Sequence, residues 1–237
     1  MLYIFTLFFS CASMKPSTST TNTTDISSSR LFPSLQQRLD GWKSKKPETL
    51  TNERMESMTQ LADWIAEKRN HNQPAKIIFV CTHNSRRSHM SQLWAQAAAF
   101  YLGLSHVETH SGGTESTAFN PRAVRALQID GFSIESPIET SENPLYQTKL
   151  GEKIPLYHSF SKRYDHESNP QSAFAAVMVC TSADTQCPYV PGAEIRIAIP
   201  YIDPKIADDS TQESAVYQAK SEEIGREMLW MMEQVPN

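Results

Sequence analysis

A run of apolar residues that ends at a cysteine constrains this chain more than any other feature. Residues 77–80 (Ile-Ile-Phe-Val) read as a buried strand, and Cys81 follows them directly. From Arg87 to Tyr101 apolar residues recur at helical spacing, so the residues in between form a short loop that opens a helix. Backbone amides at such a helix N-terminus converge and favour an anion. The sequence therefore predicts an oxyanion cradle.

Cys81 stands at the entrance of this loop. The positive end of the following helix stabilises a thiolate, which makes Cys81 a nucleophile. Arg87 adds a planar guanidinium suited to two oxygens of a tetrahedral anion, Ser88 lies beside it, and Asn84 accepts a left-handed turn. The alternative, a buried cysteine near an exposed arginine, is less favoured because the pair falls at a strand-to-helix junction.

The motif formed by Cys81, Asn84, Arg87 and Ser88 resembles the Cys-x5-Arg-Ser loop of the low-molecular-weight protein tyrosine phosphatase superfamily, and most closely its thioredoxin-coupled arsenate reductases. The resemblance covers about residues 76–235. It implies that the cysteine, arginine and serine are catalytic. It also implies that the loop binds the substrate through Thr82, His83, Asn84, Ser85, Arg86 and Arg87.

Two loop positions depart from the family pattern. His83 replaces a glycine, which puts a side chain where glycine relaxes a strained turn. Arg86 replaces a second cysteine, and either adds positive potential at the mouth or lies on the surface. Of the seven histidines, only His83 is placed near the predicted chemistry.

Two further cysteines bracket a short downstream segment. Phe174 to Val179 reads as another buried strand, which ends at Cys180, and Cys187 follows seven positions later. This spacing does not match a Cys-x2-Cys zinc site, so no metal is expected. If the segment were helical, about 1.5 Å of rise per residue would separate the two α-carbons by about 10 Å, beyond the roughly 7 Å limit for a disulfide. Thr181, Ser182, Asp184 and Thr185 are poor residues for a helix interior and Pro188 prevents its continuation, so unwinding should be inexpensive.

The resemblance implies a relay of three thiols. In it Cys81 attacks arsenate, Cys180 attacks the arsenic-bound Cys81 and releases arsenite, and Cys187 takes over the disulfide. A thioredoxin-like partner then reduces the disulfide, and no cofactor is bound. Arsenic(V) accepts two electrons, which two sulfurs supply on forming a disulfide, whereas phosphoester hydrolysis needs one nucleophile and water. The alternative is that the two later cysteines only fill the core.

A general acid must protonate the leaving oxygen, and Asp203 is the candidate. It precedes Pro204, as the catalytic aspartate of the family also precedes a proline at this point in the chain. Phosphotyrosine phosphatases of the family continue with a pair of aromatics, whereas residues 205–207 are Lys-Ile-Ala here, which argues against a phosphotyrosine substrate. Two alternatives stay open: a phosphatase with a Cys81 phosphocysteine intermediate, and a non-enzymatic oxyanion-binding or redox-sensing module.

The predicted architecture is α/β, with a four-stranded parallel sheet flanked by helices, an N-terminal helical extension and an inserted β-hairpin. Such sheets bind ligands at the carboxyl ends of their strands, where Cys81, Cys180 and Asp203 fall. Asn120 is predicted to cap a helix that begins at Pro121. The strands are placed near 76–81, 105–110, 175–180 and 195–199, and the last helix at 211–233.

The chain is predicted to divide into a disordered or targeting-like tail (1–29), a helical extension (30–74) and a catalytic domain (75–237). Helical patterns in the extension, around Pro33–Trp42 and Glu48–Arg69, are expected to pack on the domain. The insertion Asn143–Pro170 is expected to form a hairpin beside the active site.

Composition limits the classes of function. A net charge of −4 gives no reason to expect nucleic-acid binding. The longest apolar stretch, residues 1–9, is far shorter than the ~20 residues of a membrane span and has no preceding basic residue. We therefore expect a monomer of the cytoplasm, where a disulfide relay finds a reductant, in preference to an exported protein.

Overall fold

The computed structural model describes residues 31–135, 141–187 and 189–236. The predictions for the tail 1–29 lie outside the described residues. In chain order the elements are α1 (Pro33–Trp42), α2 (Asn52–Asn70), β1 (Ala75–Cys81), α3 (Arg87–Leu102), β2 (Val107–Gly113), α4 (Pro121–Asp130), β3 (Ser133–Glu135), β4 (Tyr146–Lys149), β5 (Tyr157–Ser159), β6 (Phe174–Met178), α5 (Thr181–Gln186), β7 (Ala193–Ala198), a 3-10 helix (Pro204–Ala207) and α6 (Glu213–Glu233).

The central sheet has four parallel strands in the order β2-β1-β6-β7, which confirms the predicted fold class. β1 and β6 are almost continuously apolar because helices cover both faces of the sheet. Their register pairs Val80 with Met178, so the ends of the two strands lie side by side. The predicted end of the second strand, near residue 110, was wrong. β2 continues through Ser111 to Gly113, because the glycines extend the ladder opposite Cys81.

The helices begin and end at local signals. Gly103 ends α3 in a left-handed conformation with φ of 74°. The Asn120 side chain accepts a hydrogen bond from the Arg122 amide at 2.9 Å, which confirms the predicted cap of α4. The helix predicted over Glu48–Arg69 begins later, at Asn52, because Thr51 caps it. Among the described helices, none combines the length and apolar character needed to cross a bilayer.

The N-terminal helices lie against the helical layer of the domain. The indole of Trp42, at the end of α1, packs on Trp94 of α3 with ring centroids 5.1 Å apart. Leu35, Leu39 and Leu61 are fully buried in the same core. The extension therefore buries apolar surface that α3 and α6 would otherwise expose.

β4 and β5 pair antiparallel and form the predicted hairpin. β3 adds a third strand to its edge, which the sequence did not reveal because β3 has only three residues. The chain after β5 then reaches the loop between β1 and α3. There the Ser161 hydroxyl donates to the His83 carbonyl at 2.8 Å, and the Lys162 amide donates to Asn84 Oδ1 at 2.8 Å.

Gly225 of α6 occupies a position that cannot take a larger side chain. A Cβ there would lie 2.8 Å from the Trp94 ring and 2.9 Å from the Trp42 ring. We expect Gly225→Ala to lower the free energy of unfolding by about 1–3 kcal/mol through overpacking. Gly41→Ala is the matched control, since a Cβ on Gly41 of α1 meets no atom within 4 Å. It should stabilise the protein by about 0.5–1 kcal/mol. Urea denaturation measures both, and equal stability of the two variants would contradict this packing.

Candidate active site

The loop between β1 and α3 directs its carbonyl oxygens toward neighbouring segments. Four of them pair with donors that the surrounding chain supplies, so the loop backbone is held from outside. The Cys81 carbonyl accepts from the Thr114 amide (3.1 Å), that of Thr82 from the Glu115 amide (2.8 Å), that of His83 from the Ser161 hydroxyl (2.8 Å) and that of Ser85 from the Asn120 amide (2.9 Å).

The amides of the same loop are left free. In the described part of the chain, no hydrogen-bond acceptor meets the backbone N–H groups from Thr82 to Arg86. Asn84 has a φ of 43°, the left-handed turn that the sequence predicted at this position. Free amides around such a turn, at the N-terminus of the 16-residue helix α3, form a nest for an anion. The loop can therefore bind a tetrahedral oxyanion.

Cys81 is buried at the base of this nest. Its sulfur lies 3.1 Å from the Ser88 hydroxyl oxygen. Asn84 Nδ2 donates to that oxygen at 2.9 Å, which orients the Ser88 hydroxyl hydrogen toward the sulfur. The loop thus places a hydrogen-bond donor where a thiolate would form. The structure brings together three residues that the sequence predicted: Cys81, Asn84 and Ser88.

Arg87 links the loop to the segment that carries Asp203. Its Nη1 donates to the Tyr201 carbonyl at 3.0 Å, and its Nη2 donates to Asp203 Oδ2 at 2.6 Å. Its Nε is buried and has no acceptor among the described residues. This third donor remains available to an anion. The carboxylate predicted to be the general acid therefore lies in direct contact with the predicted substrate-binding arginine.

The two departures from the family loop have different surroundings. The His83 side chain is 48% exposed, with Nε2 3.6 Å from Glu115 Oε2. Because His83 does not have a positive φ, this position does not require glycine. Arg86 is mostly buried and donates to the Tyr217 hydroxyl at 2.7 Å and to Asp208 at 3.2 Å. Asp208 partly neutralises its charge, and substrate binding by Arg86 stays a prediction.

A second histidine, which was not predicted from the sequence, lies near the loop. His89 is fully buried in the first turn of α3, stacked on Phe119 with centroids 3.9 Å apart, and its Nδ1 lies 3.3 Å from the Ser111 hydroxyl. Burial, together with the charge of Lys162, holds the pKa of His89 well below its usual range, so His89 is neutral at pH 7. Burial also lowers the pKa of Lys162 to about 8. In the sequence, the position of His89 directly after Ser88 is the signal that could have identified it.

Cys180 lies next to the loop, as predicted. Its sulfur is 3.5 Å from Thr82 Oγ1 and accepts from the Ala183 amide at 3.3 Å, so it caps the N-terminus of α5. Burial raises the pKa of Cys180, but hydrogen bonds from Thr82, Ala183 and Ser182 and the charge of Arg87 outweigh it and hold the pKa below its usual value. A larger fraction of this thiol is therefore thiolate at neutral pH.

Cys187 lies at the other end of α5. This short helix separates the two thiols. Helical geometry therefore puts their α-carbons roughly 10 Å apart before any disulfide forms. Arg196 of β7 holds the end of the helix, because it donates to the Cys187 carbonyl at 2.9 Å and to the Asp184 carbonyl and carboxylate at 2.7 and 2.6 Å. No local pattern in the sequence indicates this role of Arg196.

Cys81, Cys180 and Cys187, the cysteines of the described residues, form no disulfide with one another. Across residues 31–135, 141–187 and 189–236, no three His, Cys, Asp or Glu side chains gather as a metal site. The chemistry available here is that of a nucleophilic thiol in an anion nest, with a second thiol beside it and a third at the end of a short helix.

Comparisons with known proteins agree with this geometry. The family model of low molecular weight phosphotyrosine protein phosphatases matches residues 76–148. The arsenate reductase of Halalkalibacterium halodurans is 29% identical over 151 residues, which cover 63% of this chain and 89% of the relative. That of Bacillus subtilis strain 168 is 28% identical over 153 residues, 64% of this chain and 91% of the relative. These matches confirm the resemblance identified from the loop residues.

Two solved structures are also similar. A low molecular weight protein tyrosine phosphatase from T. tengcongensis has a TM-score of 0.44 at 19% identity. The match covers 68% of this chain and 96% of the phosphatase chain. A thioredoxin-dependent arsenate reductase from Corynebacterium glutamicum has a TM-score of 0.36 at 15% identity. The match covers 80% of this chain and 92% of the reductase chain.

Thr82→Val should make Cys180 less reactive. Valine keeps the shape of threonine but removes the hydroxyl that lies 3.5 Å from the Cys180 sulfur and can donate to its thiolate, so the pKa of Cys180 should rise and less thiolate should form at pH 7. The rate of Cys180 alkylation by iodoacetamide, followed by mass spectrometry from pH 6 to 9, measures this shift. Thr117→Val is the control, since the Thr117 hydroxyl donates to the His83 carbonyl at 3.3 Å instead. Identical pH profiles for the two variants would argue against this hydrogen bond.

Proposed function

We propose that this chain, whose core is similar to the low molecular weight phosphotyrosine protein phosphatases, is an arsenate reductase that works through three thiols. One observation carries the proposal: the Cys180 sulfur lies 3.5 Å from the side chain of Thr82, the residue next to Cys81, and its pKa is lowered. Hydrolysis of a phosphomonoester needs a single thiol. A second activated thiol beside the first is what reduction requires.

In the first step the Cys81 thiolate attacks the arsenic atom of arsenate held by the loop amides and Arg87. An As–S bond forms, an As–O bond breaks, and Asp203 supplies the proton that lets the oxygen leave as water. Ser88 stabilises the thiolate before attack through the 3.1 Å contact. Arsenic remains As(V) at this stage, because the sulfur has only replaced an oxygen.

In the second step the Cys180 thiolate attacks the sulfur of Cys81. An S–S bond forms, the As–S electron pair stays on arsenic, and As(III) leaves as arsenite. Cys187 then attacks the sulfur of Cys180, which restores the Cys81 thiolate and leaves a Cys180–Cys187 disulfide. A thioredoxin-like dithiol returns this disulfide to two thiols, and such a partner favours the cytoplasm.

Phosphomonoester hydrolysis is the second candidate. The observation that favours it is the apolar surface beside the acid: Ile202 and Ile206 flank Asp203 and are 69% and 79% exposed. Such side chains suit the organic part of a phosphomonoester, which arsenate lacks. The family pair of aromatics is absent at this position, so the fit to a phenol ring is poorer.

Arsenate added to the reduced protein should give arsenite and a Cys180–Cys187 disulfide, mapped by mass spectrometry. Cys187→Ser should stop after one turnover with a trapped Cys81–Cys180 bond. Cys180→Ser should release no arsenite above background, because nothing attacks the arsenic-bound sulfur.

Aryl phosphate, tested in parallel, separates the candidates. Rapid hydrolysis that is unchanged in Cys180→Ser, without any arsenite, would replace reduction by phosphatase activity. Oxidation of the thiols without turnover of either substrate would leave a redox-sensing module.

Arg196→Ala should speed formation of the Cys180–Cys187 disulfide several-fold. The variant removes the hydrogen bonds that hold the end of α5, so the helix unwinds more readily and the two sulfurs meet more often. Single-turnover quenching with N-ethylmaleimide, followed by mass spectrometry, measures the rate. Arg226→Ala is the control, since Arg226 pairs with Glu222 of its own helix α6 and not with α5. Equal rates in both variants would exclude helix opening as the limiting event.

A further inference from the structure

Arg54, in the first turn of α2, reaches the segment that supports the active site. Its Nη1 donates to the Pro200 carbonyl at 2.8 Å, and its guanidinium lies over the Tyr201 ring, 4.4 Å from the centroid. The carbonyl of that same tyrosine accepts the Arg87 Nη1 hydrogen bond at 3.0 Å. One residue of the N-terminal extension thus holds the backbone that orients Arg87.

Arg54 is itself fixed by a buried carboxylate. Glu227 of α6 has no exposed surface and accepts from Arg54 Nε at 2.9 Å and Nη2 at 2.7 Å. Its other oxygen accepts from the Thr49 hydroxyl at 2.7 Å. A guanidinium held at two nitrogens by a buried carboxylate has one orientation. Its third nitrogen, Nη1, binds the Pro200 carbonyl, and its flat face stacks on the Tyr201 ring.

We propose that Arg54 is a positioning residue for oxyanion binding, which acts on Arg87 and Asp203 through the backbone of residues 200–203. The inference rests on the proposed function, because it assigns these two groups to the bound oxyanion. The extension then serves the active site as well as the core. Asp203 lies two positions after Tyr201, where Arg54 stacks, so a shift of this segment moves both partners of Arg87.

A purely structural role would have a different signature. If Arg54 only neutralised Glu227, a lysine in its place would keep both the charge and the function. Lysine lacks the planar fork and the flat face, so it cannot bind Glu227, Pro200 and the Tyr201 ring together. Positioning therefore predicts that Arg54→Lys keeps the fold but weakens oxyanion binding.

Protection of Cys81 from iodoacetamide by arsenate or phosphate tests this in the full chain. Peptide mass spectrometry isolates Cys81 from the other thiols, and the half-protecting concentration of phosphate, which the thiols do not reduce, reports oxyanion affinity. We expect Arg54→Lys to raise this concentration at least tenfold and to raise the KM for arsenate. Arg38→Lys is the matched control: Arg38 of α1 also pairs with a buried carboxylate, Asp130, at 3.1 Å, but not with residues 200–203. It should stay within twofold of the wild type.

The double variant Arg54→Met/Glu227→Met removes both buried charges, so that loss of binding cannot be assigned to an unpaired carboxylate. It should unfold at the wild-type urea midpoint and bind oxyanion as weakly as Arg54→Lys. If the wild type is protected and both Arg54 variants match Arg38→Lys, the positioning role is wrong and the proposed function stands. If neither anion protects wild-type Cys81, the proposed oxyanion site fails, and this inference fails with it.

Discussion

The outward pairing of the loop carbonyls is the constraint on which the rest of the site depends. A peptide group that hydrogen-bonds its carbonyl to a neighbouring segment turns its amide the other way, and the loop from Cys81 to Arg86 does this repeatedly. The donors come from residues 114–120 and from Ser161, so the segment between β2 and α4 and the inserted segment both contribute. The nest is therefore formed before any ligand arrives, and binding need not pay for ordering it.

The sequence revealed those parts of the fold that have local signals. The apolar run before Cys81, the turn-forming Asn84, and the cap and proline that open α4 each act within a few residues, and the structure has all of them. Groups whose roles depend on distant partners were not visible. Arg54 lies 146 residues before Pro200 and 173 before Glu227, and no periodicity links such positions. β3 escaped because three residues carry too little pattern.

The two later thiols illustrate the same division. The apolar strand before Cys180 placed that thiol beside the loop, because adjacent parallel strands end at one edge of the sheet. The sequence alone does not decide whether the residues up to Cys187 are helical, since Thr, Ser and Asp are poor residues for a helix interior. The structure has a helix there because Cys180 caps one end and Arg196 binds the other. Tertiary contacts thus outweigh weak intrinsic propensity.

The contact between Arg87 and Asp203 has a consequence for the proposed reaction. At rest the carboxylate neutralises the guanidinium, with Nη2 and Oδ2 2.6 Å apart. An oxyanion in the nest takes Arg87 as a shared partner through the free Nε, which brings two negative groups to one cation. A proton placed between the oxyanion and Asp203 removes that repulsion, and the leaving oxygen needs the same proton. Binding of the substrate and placement of the proton on Asp203 are then coupled through the charge of Arg87. An enzyme that must hold Arg87 accurately between the two anions has reason to fix the Tyr201 carbonyl from the far side with Arg54.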